Sequence, residues 1–288
     1  MEDVHGLQEN NLHGEIEEIE DETDKRFKRF KNFDIDRNLP LDHHFVNCGR
    51  STKPVPPTSS LAETLREERR ILGSNLPNSI FVRGYENRID LMRAAIIGPP
   101  DTPYHLGIFF FDVLFPGDYP ARPPKLSFHS QGLDLHPGLR PDGKVCLSLL
   151  ENWYGRLVYG WFGCNAEKWN PKRSNLAQVL LSIRCLILNE QPYYNQPIRL
   201  YTSKWNKNKF MLSCEAMIRT LESPPRGFED FVAGHFRRRA HPILTKYGDL
   251  MDESEGMRQL FLKLVKAFEE NGAYCKHHLG QVKVKPKK

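Results

Sequence analysis

No uninterrupted apolar run approaches the roughly 18 or more residues that a membrane-spanning helix requires, so a membrane partner is not expected. Closely spaced cysteines are missing too. Cys48, Cys146, Cys164, Cys185, Cys214 and Cys275 form no CxxC pair, which argues against a zinc ribbon or a dense disulfide framework and for free thiols. The tracts His43, His44, Cys48 and Cys275, His277, His278 have poor ligand number and spacing for tetrahedral zinc, so no metal site is expected. A phosphate-cradling glycine loop and an internal repeat are also lacking. Lys and Arg are absent from 1–24, and acids stand in 1–9 where a signal peptide carries lysines, so the expected setting is cytosol or nucleus.

What remains is the composition of a globular chain. Of 288 residues, 39% are hydrophobic and 27% charged, enough to bury a real core. Lys plus Arg minus Asp plus Glu is 41 − 36 = +5, a modest excess that does not imply nucleic acid. Residues 276–288 hold five lysines and no acid, a solvated basic tail or, in the second reading, an import or docking signal in 283–288.

Residues 1–57, poor in aliphatics and ending in prolines at 54, 56 and 57, are expected to be a mostly disordered arm. Within it Phe27, Phe30 and Phe33 fall three apart; this stripe suits folding back on the domain or, less favoured, docking a partner. Residues 58–72 suggest an amphipathic helix, with Ser60 and Glu63 as a capping box. Short apolar runs at 80–83, 91–97, 106–115 and 125–128, separated by polar turns, predict a four-stranded antiparallel meander. Prolines at 120, 123, 124 and 137 then imply an ordered irregular segment. Helical spacing returns at 174–189, with Leu176, Val179, Leu180, Ile183, Leu186 and Ile187 on one face, and again at 205–221, 228–244 and 257–268. The order is α+β, not alternating βαβ.

Cys146 is the informative thiol because a Pro-Asp-Gly turn at 141–143 would present it at a bend. A buried cysteine acting as a small hydrophobe is the rival reading. Neither Lys144 nor His136 completes a convincing hydrolase dyad.

The run 104–128, with Tyr119-Pro120-Ala121-Arg122-Pro123-Pro124-Lys125, followed by His136-Pro137 and Gly143-Lys144-Val145-Cys146-Leu147, resembles the core of ubiquitin-conjugating enzymes over residues 58–200. Phe81-Val82-Arg83, Asp90-Leu91-Met92-Arg93-Ala94 and Glu167-Lys168-Trp169-Asn170-Pro171 make it most similar to the large hybrid members and their plant relatives. Residues 228–236 look like the helical extension of that subclass, giving a core at 58–200, an extension at 201–275 packed on it and a basic tail at 276–288. The resemblance implies that Cys146 accepts ubiquitin as a thioester from an activating enzyme and passes it to a substrate lysine, with a ligase as a further partner. It implies no cofactor in this chain, ATP being consumed by the activating enzyme.

Several positions depart from that family's pattern. Gly138 replaces the usual Asn after His136-Pro137; Ser148 and Gln196 stand where acids are common, and Asn195 neighbours the latter. Asn152, Asn165 and Asn195 are candidate substitute donors, and Asp142 and Glu151 could supply the field at the thiol beside Gly143. The ligase-facing positions Ala121 and Lys172, the latter after Pro171, lack the usual apolar anchor and small residue, implying weak binding to ordinary RING ligases. Residues 154–168 resemble an insertion, read as a mobile flap or a structural cover. Arg237, Arg238 and Arg239 suit a solvated helix face or, second, an acidic partner. The rival functions are a non-catalytic ubiquitin-binding scaffold of the same fold and transfer of a ubiquitin-like modifier.

Overall fold

The computed structural model describes residues 21–47, 56, 59–150, 168–189, 203–250 and 254–282. Helix α1 (Glu22–Arg29), strand β1 (Phe33–Asp36) and the short α2 (His44–Asn47) precede α3 (Ser60–Asn75). Strands β2 (Ile80–Tyr85), β3 (Leu91–Ile97), β4 (Ile108–Leu114) and β5 (Lys125–Phe128) follow. A 3-10 turn at Ser148–Leu150 leads toward α4 (Leu176–Ser182), α5 (Ser203–Glu222), α6 (Glu229–Leu250), α7 (Glu255–Glu270) and a 3-10 helix, Lys276–Val282. The architecture is α+β, and among the described residues no helix is long and apolar enough to cross a membrane.

The sheet runs β1-β2-β3-β4-β5, antiparallel throughout except for parallel β1–β2. Every residue of β4 is buried because both sheet faces are covered, and alternate side chains serve different cores. Phe109, Phe111 and Val113 pack with Leu65 and Leu72 of α3 and with Val179, Leu180 and Ile183 around α4. Ile108 and Phe110 join Phe210, Phe228, Phe231, Phe236 and Phe268 under α5–α7. The continuous apolar run in the sequence is the signature of that double burial.

The expected meander of four strands thus gains a fifth. Its Phe-Asp-Ile-Asp sequence has no apolar run to betray it, and its partner lies far along the chain. The Asn32 side chain donates to the carbonyls of Pro77 and Ile80, both at 2.9 Å, and Val82 N donates to Asn32 O at 2.7 Å, fixing the register Phe33 to Val82. Residues 21–47, expected to be mostly disordered, are therefore structured, and the aromatic stripe folds back. Phe27 and Phe30 stack on Phe231 at 5.7 and 4.9 Å between centroids, and Arg83 sits 3.7 Å over the Phe30 ring. Arg237, expected on a solvated face, is instead held by α1 and its cap: Nη1 meets Asp21 at 2.7 Å and Asp24 at 3.0 Å.

Local signals place two other elements slightly differently from expectation. Ser59, not Ser60, caps α3 by accepting from Ala62 N at 3.2 Å. Helix α4 continues as a wider π turn, Ile183–Ile187, with Leu188 N bonded to Ile183 O. The extra residue in that turn rotates Leu186 off the packed face, leaving it 43% exposed.

Candidate active site

Strand β5 positions the coil that carries Cys146. Phe128 N donates to Gly143 O at 2.7 Å, and Ser127 bridges Lys144, so residues 140–147 lie along the end of the sheet. Gly143 N closes a turn onto Arg140 O at 2.9 Å with φ of +84°, and a side chain there would sit 3.1 Å from Phe128 O. Glycine is required at this bend. Asp142 Oδ1 accepts from Lys144 N at 3.1 Å, and Ser130 Oγ donates to Pro141 O at 2.6 Å.

Beyond the turn the chain alternates. Val145 and Leu147 are buried at 2% and 6% exposure, whereas Cys146 between them and Ser148 after them are half-buried. The cysteine is thus neither enclosed as a core hydrophobe nor fully solvated. Burial pushes its thiol above the ordinary value; Arg140 and Lys144 pull it down, and Asp142 opposes them. Asp142 is itself shared between Arg140 at 3.3 Å and Lys144 at 3.7 Å, so the turn offers little net positive field.

His136, Pro137 and Gly138 stand directly beside this segment. Cys146 N donates to Gly138 O at 2.8 Å, and Gly138 N donates to Nδ1 of the buried His136 at 2.7 Å. Both of these backbone N–H groups are committed within the coil. A Cβ at Gly138 would lie 2.9 Å from His136 Nδ1 and 3.3 Å from Cys146 O, so any larger residue must displace the imidazole.

Ala121, Pro171 and Lys172 are exposed at an end where two segments meet. Trp169 Nε1 donates to Pro120 O at 2.7 Å, and the Tyr119 hydroxyl donates to Glu68 Oε1 at 2.5 Å while Leu176 N donates to Oε2 at 3.0 Å. A buried carboxyl thus joins α3, the proline coil and the start of α4. Asn152, Asn165, Asn195, Gln196, Glu151, Cys164 and most of the 154–168 insertion lie outside the described residues.

Sequence reasoning missed the polar cluster beneath this coil. Arg93 and Asp112, facing partners on β3 and β4, are both wholly buried, with Nε to Oδ1 at 2.7 Å. Asp112 also accepts from His129 Nε2 at 2.9 Å and from His44 N at 2.7 Å, while Asp42 Oδ1 takes Arg93 Nη1 at 3.0 Å. Burial acts to raise the Asp112 carboxyl, but the bonds from His129 and Arg93 hold it well below the usual carboxylate range. The cluster binds the arm, through Asp42 and His44, to His129 at the head of the coil that leads to Cys146.

Comparison with known proteins identifies the family. Residues 64–217 match the family described as "Ubiquitin-conjugating enzyme". Two similar Arabidopsis thaliana proteins are the probable ubiquitin-conjugating enzyme E2 25, 45% identical over 70% of this chain and 33% of its own, and the putative ubiquitin-conjugating enzyme E2 38, 42% identical over 70% and 62%. The human dual E2 ubiquitin-conjugating enzyme/E3 ubiquitin-protein ligase BIRC6 is 32% identical over 84% of this chain but only 5% of its own. The chain therefore spans between about a twentieth and three-fifths of these relatives' lengths.

Proposed function

Because the chain belongs to the ubiquitin-conjugating enzyme family, related to its plant and large hybrid members, we propose that Cys146 carries ubiquitin as a thioester between an activating enzyme and a substrate lysine. The observation that carries this reading is the half-buried sulfur at position 146, held at the sheet end between two buried aliphatic neighbours. In the first transfer the Cys146 thiolate attacks the carbonyl of ubiquitin bound to the activating enzyme, whose own thiolate departs. In the second, a neutral lysine amine attacks the Cys146 thioester, the thiolate leaves, and solvent or a nearby carboxylate takes the amine proton. The site must favour the neutral amine, and partial desolvation around Cys146 acts in that direction.

Gly138 has no side-chain donor for the oxyanion of that second step, and its N–H is bonded to His136. The donor in this proposal comes from another segment, Asn152, Asn165 and Asn195 being the candidates. Ala121 and Lys172, both exposed, support weak docking of ordinary RING ligases and more direct substrate recognition. The proposed transfer uses no cofactor on this chain, takes place in the cytosol or nucleus, and draws ATP only through the activating enzyme. Incubation with activating enzyme, ATP and ubiquitin tests it: a reductant-sensitive adduct, absent from Cys146→Ala, is expected. A folded protein that binds ubiquitin yet forms no adduct would support the scaffold instead.

A further inference from the structure

Three imidazoles outside the Cys146 coil converge where the C-terminal 3-10 helix meets α6. His241 lies on α6, and His277 and His278 lie on the 3-10 helix Lys276–Val282. One ring nitrogen from each falls within 4.8 Å of the others, and His241 Nδ1 stands 3.0 Å from His278 Nε2. Ring centroids are 4.9 Å apart for His241 and His277 and 4.4 Å for His277 and His278. Spacing alone had paired Cys275 with His277 and His278, but the Cys275 sulfur turns inward toward Val265 O at 3.7 Å. The structure replaces it with His241, 37 residues before His278 in the chain.

We propose that His241, His277 and His278 form a three-imidazole site for a divalent transition metal, zinc in the first instance, which clasps the C-terminal 3-10 helix to α6. Tetrahedral zinc with ligand bonds near 2.0–2.1 Å requires nitrogens about 3.4 Å apart; the His241–His278 pair stands at 3.0 Å and all three nitrogens lie within 4.8 Å, a span that small side-chain rotations close. His278 is buried and anchors the set, whereas His241 and His277 are exposed, so a fourth position opens to water. Imidazole is a ligand type that zinc favours. Neighbouring cations are offset by carboxylates: Arg237 by Asp21 and Asp24, Arg238 by Asp24 at 3.6 Å, and Lys276 by Glu269 at 4.0 Å. The site is independent of the ubiquitin reading and stands or falls without it.

The test uses the untagged full chain, stripped of metal by dialysis against chelator and titrated with zinc by calorimetry, with cobalt as a spectroscopic probe. Expected are one saturable equivalent, visible cobalt absorption displaced by zinc, and zinc-dependent slowing of amide exchange in residues 276–282. His241→Gln and His277→Gln change exposed side chains, so circular dichroism should stay native while zinc affinity falls roughly tenfold or more. Absence of a saturable equivalent, or equal zinc affinity in the parent and both variants, overturns the proposal; the second result would place the bound metal away from these imidazoles.

Discussion

Replacing Asp112 by Asn should be one of the most damaging nearly isosteric changes in the sheet. Asp112 receives Arg93 Nε at 2.7 Å, Arg93 Nη2 at 3.2 Å, His129 Nε2 at 2.9 Å and His44 N at 2.7 Å. An amide retains one acceptor, places an NH2 against groups that are themselves donors, and leaves Arg93 wholly buried with reduced compensation. Breaking a buried pair from one side costs about 3–5 kcal/mol, and the remaining Asp42 contact argues for the lower end, about 3 kcal/mol. For a chain of this size each kcal/mol lowers Tm by roughly 2–4 °C, giving a shift on the order of 6–12 °C. Urea titration followed by circular dichroism, at unchanged m, measures the loss directly. Asp42→Asn is the internal control: its side chain is 38% exposed, so its cost should be about 1 kcal/mol. An Asp112→Asn loss below about 1 kcal/mol would show that the cluster does not hold arm to sheet.

Three further outcomes follow from the same geometry. Because burial raises the Cys146 thiol, its alkylation rate should keep climbing with pH beyond the range in which an exposed cysteine levels off; a plateau near neutrality would contradict the placement of the sulfur. His235 is fully buried, its ring nitrogen bonded to Leu106 O at 2.8 Å, and burial lowers its pKa from 6.5 to about 4. The folded form therefore stays neutral while the unfolded chain protonates, so stability present above pH 6.5 should fall by about 3 kcal/mol between there and pH 4, and urea midpoints that do not move over that range would refute the assignment. Gly138→Asn should discharge ubiquitin to lysine faster than Gly138→Ala, which shares its 2.9 Å encounter with His136 but supplies no donor; equal rates in two folded variants would remove the missing donor from the explanation.

The strands were legible because turn residues bracket short apolar runs, and residues 125–128 form a strand with no change of boundary. The bend before Cys146 was legible for a related reason: Pro-Asp-Gly is a turn sequence, and glycine takes up the φ of +84° found at 143 without strain. Strand β1 was not, since Phe-Asp-Ile-Asp gains its place from a distant parallel partner and from Asn32 rather than from its own pattern. Arg93 and Asp112 were hidden for another reason. Each is a single charge within an apolar strand, and only the register between β3 and β4 brings the two together away from water. The His241 cluster was hidden by chain separation in the same way.

Two features of the site bear on the proposed chemistry in one direction. Burial makes Cys146 a weaker acid, which lowers the thiolate fraction available for loading and makes the sulfur a poorer leaving group once loaded. Gly138 supplies no side-chain donor, and the backbone N–H groups of Gly138 and Cys146 are already bonded within the coil. A thioester formed on this chain would therefore resist casual attack by water or free amines, because neither leaving-group acidity nor a resident donor from this coil assists its collapse. On the proposed reading, a group that adds a donor or further desolvates the amine raises the rate constant for discharge, and the reaction without it stays slow at any given amine concentration. Selection among acceptors, on the same reading, rests on the donor that Gly138 lacks being supplied from outside this coil, by another segment of the chain or by the partner that approaches it.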